Sequence, residues 1–399
     1  MPAPAISNVR QASADLSSSI GSEELRKQIR EILQSQGFRL ENGKLLPPAA
    51  LGKDDIRLLH NTAVEHRIEQ AMPGLHRRET ELIMRIASGH EVDPASISPR
   101  LVEVKPGTAD ELLFRYACLH WSIPVSSGYG RRLRFLVLDG SNNKLIGIIG
   151  LGDPVFNLGP RDQWIGWESE GRNLRLRNVM DAFVLGAVPP YSFLLCGKLV
   201  ALLASSDTVR AAFKRKYGGV KSRISEREHD GRLALITTTS ALGRSSVYNR
   251  LRCNGRLAFE SVGFTAGSGE FHFSNGLYGA IATYAKERCL PTWRKEQWGS
   301  GFRNKREVIR KCLADLGLSP DWGYHGVNRE VFVVPLASNA RQFLRGDHAR
   351  LRWYHQPEED VASFFRDRWL LSRAESHQEY RAWSRNEWLI WSESGGKLD

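Results

Sequence analysis

Hydrophobic positions along the chain switch repeatedly between helical and strand spacing. Ser22, backed by Glu23 and Glu24, caps a stretch in which Leu25, Ile29, Ile32 and Leu33 recur at helical intervals up to Gly37. Asp54 opens a second helix through Ile56, Leu59, Ala63 and Val64, and Arg78 to Ala87 continues it or forms a third. Residues 1–95 therefore read as a helical N-terminal domain, with P-A-S-I-S-P (Pro94 to Pro99) as a linker. Beyond it the pattern predicts a strand at 101–104 and a helix at 108–119. Two strands at 133–138 and 144–151 follow, joined by the turn-forming D-G-S-N-N. A third strand within 163–167 and a helix at 172–180 lead to the apolar run Ala182 to Val188, which Pro189-Pro190 stops. A helix from Tyr191 to Ala204, a strand at 233–238, a helical turn at 245–251 and a strand at 257–264 complete an α/β (α+β) sheet domain over 98–285. The third region, 286–399, carries a strand at 331–334. Its helical stretch, 360–391, holds Trp369, Trp383, Trp388 and Trp391, an interface with another part of the chain or with a partner.

Composition narrows the classes. Hydrophobic content of 41% and charged content of 25% belong to a folded protein. No run approaches the roughly 18 apolar residues of a membrane span, and the start M-P-A-P-A-I-S-N-V-R lacks an apolar leader. Five cysteines, none in a C-x-x-C pair, read as reduced thiols and a cytoplasmic location. Without an H-E-x-x-H pattern, His60 and His66 read as ordinary histidines, and no metal site is expected.

The formal charge of +12 is the most informative of these numbers, because it points to a polyanionic partner. The cations are gathered. Arg210 to Arg227 holds Lys214, Arg215, Lys216, Lys221 and Arg223 around Tyr217; Lys286 to Lys311 holds Arg303, Lys305 and Arg306 among Trp293, Trp298 and Phe302. Cations interleaved with aromatics suit a phosphate backbone with stacked bases, and solvated helix faces are the bland alternative. G-R-S-S-V-Y-N-R-L adds Arg244, Ser245 and Arg250: hydroxyls and guanidiniums at the start of a helix can hold phosphate, or Ser245 simply caps it. Tyr191 could stack on a base, act as an acid or cover the core. Glu270 and His272, two apart, would share one face of a strand and suit acid–base chemistry or, in a nuclease, a divalent metal. Arg161 and Asp162 read as an ion pair bracing the hairpin.

Two resemblances follow from these strings. The order hairpin, central strand turning into a helix, strand, helix, strand is similar to the GNAT acetyltransferase layout. The segment Ser246 to Thr265 resembles its last helix and "GF" strand, which makes Tyr248 the counterpart of the tyrosine that protonates a departing thiolate. The turn P-P-Y-S-F-L-L-C-G-K lacks that family's glycine-rich phosphate loop, since its prolines have no N–H, so no cofactor is expected. R-D-Q-W-I-G-W (161–167), V-P-P-Y-S-F-L-L-C-G-K-L-V-A (188–201), T-T-T-S-A-L-G-R-S-S-V-Y-N-R-L (237–251) and V-G-F-T-A-G-S-G-E-F-H (262–272) together resemble the DruA subunit family of the Druantia anti-phage system. That resemblance implies a role in bacterial immunity beside a helicase-like partner. The expectation is a DNA-binding subunit. The alternatives are a nuclease-like or transferase-like enzyme resting on Tyr248, Tyr191, Glu270 and His272, and a structural adaptor.

Overall fold

A computed structural model describes residues 21–48, 51–126, 130–221, 228–274, 276–291, 302 and 304–391. In chain order its elements are α1 (Ser22–Ser35), β1 (Arg39–Glu41), β2 (Lys44–Leu46), α2 (Lys53–Leu75), α3 (Glu79–Ile83), β3 (Pro99–Glu103) and α4 (Ala109–Cys118). The hairpin strands β4 (Arg132–Asp139) and β5 (Leu145–Gly152) follow, then α5 (Gly159–Ile165), α6 (Ser169–Arg175), β6 (Val179–Ala187), α7 (Cys196–Leu203) and α8 (Asp207–Tyr217). Next come β7 (Leu235–Thr239), β8 (Arg252–Cys253), β9 (Arg256–Leu257), β10 (Glu260–Phe264), α9 (Leu277–Arg288) and α10 (Lys305–Asp315). The last are β11 (Glu330–Pro335), α11 (Ala340–Arg345), α12 (Glu358–Phe365) and α13 (Leu371–Ser376). The mixed α/β class expected from the pattern is what the chain adopts.

Its division differs from the three consecutive regions 1–95, 98–285 and 286–399. The contacts separate a small unit, residues 1–66 with 266–327, from a sheet unit, residues 67–265 with 328–399. Two strand pairings explain the difference. β11, deep in the supposed C-terminal region, pairs antiparallel with both β10 and β7, so it is a core strand of the sheet. The supposed linker is not one either: Asp93 caps a short 3-10 turn over Pro94–Ser96, Ile97 is buried, and Pro99 begins β3.

The sheet unit is built on seven strands in the order β10-β11-β7-β6-β5-β4-β3, with β6 and β7 the one parallel pair. β4 and β5 are apolar on both faces because helices cover both. Phe135, Val137 and Ile149 pack with Leu199, Val200 and Leu203 of α7. Leu136, Leu138 and Ile148 pack with Leu113, Phe114 and Ala117 of α4, and with Trp383 and Trp388. Burial of this kind contributes about 25 cal/mol per Å² of apolar surface.

Local chemistry sets several ends differently from the pattern. Residues 163–167 are helical rather than extended: Pro160 starts α5 and Gly166, at φ +82°, ends it. Past Pro189-Pro190, which is cis, the chain makes a 3-10 turn over Tyr191–Leu194, and α7 starts only at Cys196. The small unit buries Leu25, Ile29 and Leu33 of α1, and Arg26 Nε donates to the Leu316 carbonyl at 2.8 Å. Trp322 Nε1 donates to the Gly43 carbonyl at 2.9 Å, tying the β1–β2 hairpin to the segment after α10.

Candidate nucleic-acid interface

α8 begins at Asp207 and buries Val209, Ala212 and Phe213, leaving Lys214, Arg215 and Lys216 in its last turn, where cations complement the helix dipole. Their environments are unequal. Lys216 Nζ donates to the Arg132 carbonyl at 2.8 Å, and burial holds its amine below the ordinary value. Arg215 pairs with Glu103 of β3 while staying 65% exposed, and Lys214 is exposed. Tyr217, meant as a stacking ring, is instead buried, with its hydroxyl on the Arg132 carbonyl at 2.7 Å. The basic loop closes through a bridge between Lys221 and Glu228, and Arg223 lies outside the described residues. Behind it, His229 accepts from the Gly231 N–H on Nδ1 and donates from Nε2 to the Arg177 carbonyl at 2.8 Å. Burial lowers its pKa, so this neutral form is held.

The sheet topology brings further cations to the same end. β4, β6 and β7 all start there, and Arg131 Nη1 donates to the Arg177 carbonyl at 2.6 Å while Arg177 Nη1 donates to the Glu228 carbonyl at 2.9 Å. Arg175 and Arg232 lie 4.4 and 4.7 Å from the ring centre of Phe343, and burial followed by the charge of Arg232 lowers the Arg175 pKa. Sequence reasoning missed this group. Arg131, Arg175, Arg177 and Arg232 come from three separate segments, and although R-R-L-R (131–134) and R-N-L-R-L-R (172–177) are arginine-rich, only the strand pairing brings them together.

The residues weighed for catalysis sit elsewhere. Tyr191 is fully buried, donates to Asp139 Oδ2 at 2.9 Å and accepts from Asn142 Nδ2 at 2.9 Å. Burial first, then the Asp139 charge, pushes its phenol up, so of its three readings it covers the core. Ser245 Oγ accepts from the N–H groups of Val247 and Tyr248 at 3.2 and 3.0 Å; it caps a run of turns, not a helix. Tyr248 stacks on Phe259 at 4.7 Å and meets Phe332 edge-on, with its phenol pushed up by burial. Arg244 and Arg250 flank it, exposed. Arg161 braces the loop after β5, with Nε on Asp162 at 2.8 Å and Nη1 on the Val155 carbonyl at 2.9 Å.

In the small unit, the shared strand face expected of Glu270 and His272 is absent. Residues 271–273 form a 3-10 turn, because the backbone there bonds locally: Phe273 N–H donates to the Glu270 carbonyl at 3.1 Å. His272 is buried with Nε2 on the Trp322 carbonyl at 2.7 Å, and burial pushes its pKa down to about 4. Glu270 lines an open pocket of about 240 Å³ with Arg306, Arg310, Asp321 and Tyr324. Lys305 stands beside it, its ammonium 4.5 Å from the ring centre of Tyr278. Arg303, Trp293 and Trp298 lie outside the described residues. Among the described residues no group of three His, Cys, Asp or Glu is arranged to hold a metal, and no helix is long and apolar enough to cross a membrane.

The geometry thus offers cationic surfaces on each unit, buries Tyr191 and half-buries Tyr248. Comparison with known proteins places the chain more closely. No solved structure matches it. It is 42% identical to Druantia protein DruA of Escherichia coli (strain UMEA 4076-1) over 371 residues, covering 91% of this chain and 90% of that protein. The profile of the family described as Druantia protein DruA matches residues 50–346, which takes in the sheet strands from β3 to β11, α8 and the pocket. The chain belongs to the DruA family of Druantia proteins.

Proposed function

We propose that the chain is the DNA-binding subunit of its Druantia anti-phage system, gripping the phosphate backbone and presenting it to a helicase-like partner in the cytoplasm. Family membership makes the chain a Druantia defence component. The DNA-binding half rests on one observation above all: the sheet end where β4, β6 and β7 start exposes Lys214 and Arg215 of α8 above the half-buried Arg175 and Arg177, while Arg131 and Arg232 there are already paired with Asp153 and Asp230. Each cation brought to a phosphate releases counterions, so such an end binds nucleic acid without needing to read bases. The test is an electrophoretic shift with single-stranded, double-stranded and forked DNA across a salt series, with and without divalent metal. Binding that weakens with salt, and weakens further when Lys214 and Arg215 become alanine, supports the reading. Binding unchanged by those substitutions sinks it.

A catalytic reading has one observation in its favour. β6 and β7 pair over only Val179–Asp181 and Leu235–Thr237, yet β6 runs on to Ala187, so the two strands part after Asp181. Asp181 accepts from Thr237 Oγ1 at 2.8 Å, and burial pushes its carboxyl up to about 6. A splay beside a central strand is what a GNAT-like core would use for a transferred group, with Tyr248 nearby as proton donor. Loss of phage protection in Tyr248→Phe with DNA binding intact would favour this reading over the first.

A further inference from the structure

The pocket of the small unit has an arrangement that a general phosphate grip does not need. Arg306 and Arg310 are one helical turn apart on α10, so both guanidiniums reach the same wall. Glu270 and Asp321 stand in that pocket from two separate turns, and Tyr324, which also lines it, is 53% exposed. None of the four charged side chains makes an ion pair or a side-chain hydrogen bond with a described residue. Opposite charges that line one pocket without pairing with each other need walls that cannot close on each other. The backbone supplies them: Gly269 N–H donates to the Gly323 carbonyl and His325 N–H to the Gly267 carbonyl, both at 2.9 Å, and Ser268 bridges Tyr324. Behind the pocket, His272 on the Trp322 carbonyl fixes the turn that carries Glu270.

We propose that this pocket takes one unpaired nucleotide of a DNA strand: its phosphate on Arg306 and Arg310, its base on the Tyr324 ring, and its base N–H groups on Asp321 and Glu270. A ligand here must offer an anion at one end, a flat face in the middle and N–H donors at the other, and a nucleotide does. A paired base does not, because its Watson–Crick donors are already used. Guanine fits best, since its N1–H and exocyclic N2–H lie side by side and match the two oxygens of a carboxylate. This inference rests on the DNA-binding reading and names a subsite within it.

The test uses the full chain and fluorescence anisotropy with a labelled 12-nucleotide mixed-sequence single strand and the corresponding blunt duplex. Arg306→Ala with Arg310→Ala, and separately Tyr324→Ala, should weaken the single strand by about tenfold or more while duplex affinity stays within about twofold. Tyr324→Phe should bind as wild type, because stacking uses the ring and not the hydroxyl, and matching thermal melts check folding. Free dGMP should displace the strand better than dTMP, and Asp321→Ala with Glu270→Ala should erase that difference. Equal losses on strand and duplex, or no loss on either while DNA still binds, overturn the pocket and leave the DNA reading standing. A wild-type chain that binds no oligonucleotide overturns both.

Discussion

At the scale of single residues, burial decides what the polar side chains do. Tyr191 is the clearest case. Its hydroxyl joins Asp139, which also accepts from Ser98 N–H at 3.1 Å and from Ser141 Oγ at 2.8 Å, so the tyrosine ties α7's approach to the β4–β5 turn. Tyr191→Phe keeps the packing and strands part of that network; the expected cost is about 1–3 kcal/mol, read as a lower urea midpoint, with DNA binding at low denaturant unchanged. His272 makes a pH prediction of fixed sign. Its pKa falls from the ordinary 6.5 to about 4 in the folded chain, so the unfolded chain binds the extra proton between those values. Stability therefore drops as pH falls from 6.5 toward 4, by up to about 1.4 kcal/mol per pH unit within that window. His272→Gln retains an N–H donor for Trp322 but cannot titrate there. It should reduce the loss of stability between pH 7 and pH 5 in denaturant titrations. An unchanged loss would assign the pH dependence to other groups, such as His120, which burial pushes down to about 3.

At the scale of elements, the legible parts were those with a strong period or an explicit cap. α1, α4 with its Thr108 cap, and the β4–β5 hairpin lie within a few residues of where the pattern puts them, although Ser22 begins α1 rather than capping it, the N-cap being Gly21 with no side-chain bond. The tryptophan-rich end was legible as an interface but not as to which kind. The structure answers that it folds back on its own sheet unit: Trp388 stacks on His120 at 3.7 Å, and Gly89 N–H donates to the Trp383 carbonyl at 2.8 Å. The expected long helix over 360–391 continues only to Ser376; after it, short 3-10 turns over Glu379–Ala382 and Arg385–Trp388 bring Trp383 and Trp388 onto the α4 side of the sheet, while Trp369 packs on the α7 side. At Gly89 the two segments approach so closely that an added Cβ would lie 1.9 Å from the Tyr380 carbonyl oxygen. Gly89→Ala is expected to cost at least about 1–3 kcal/mol and to release 377–391. Limited proteolysis should then cut that segment in the variant under conditions that leave wild type intact.

At the scale of the whole molecule, local period carries no information about which distant segments share a sheet. That is why the sequence divides naturally into three consecutive regions and the folded chain into two interleaved units, with β11 returning to the sheet after the small unit. The same limit hid part of the candidate site: charge runs such as Lys214 to Lys216 are visible in the string, whereas Arg175 and Arg232 meet only across Phe343. The net charge of +12 consequently overstates the free cations, since many guanidiniums and ammoniums are already engaged by carbonyls and carboxylates. This distinction has a measurable consequence. In binding to duplex DNA the slope of log K against log salt falls by roughly 0.9 for each phosphate contact removed. Lys214 is exposed and has no ion pair or side-chain hydrogen bond among the described residues, and Arg215 pairs with Glu103 in a solvent-screened position, 65% exposed, whereas Lys216 is engaged by the Arg132 carbonyl. Replacing all three by alanine should therefore reduce the slope by about two rather than three, and replacing Lys216 alone should leave the slope unchanged. A full unit of slope lost with Lys216 alone would mean that its bond to Arg132 gives way to phosphate, and that the end of α8 rearranges when the chain meets DNA.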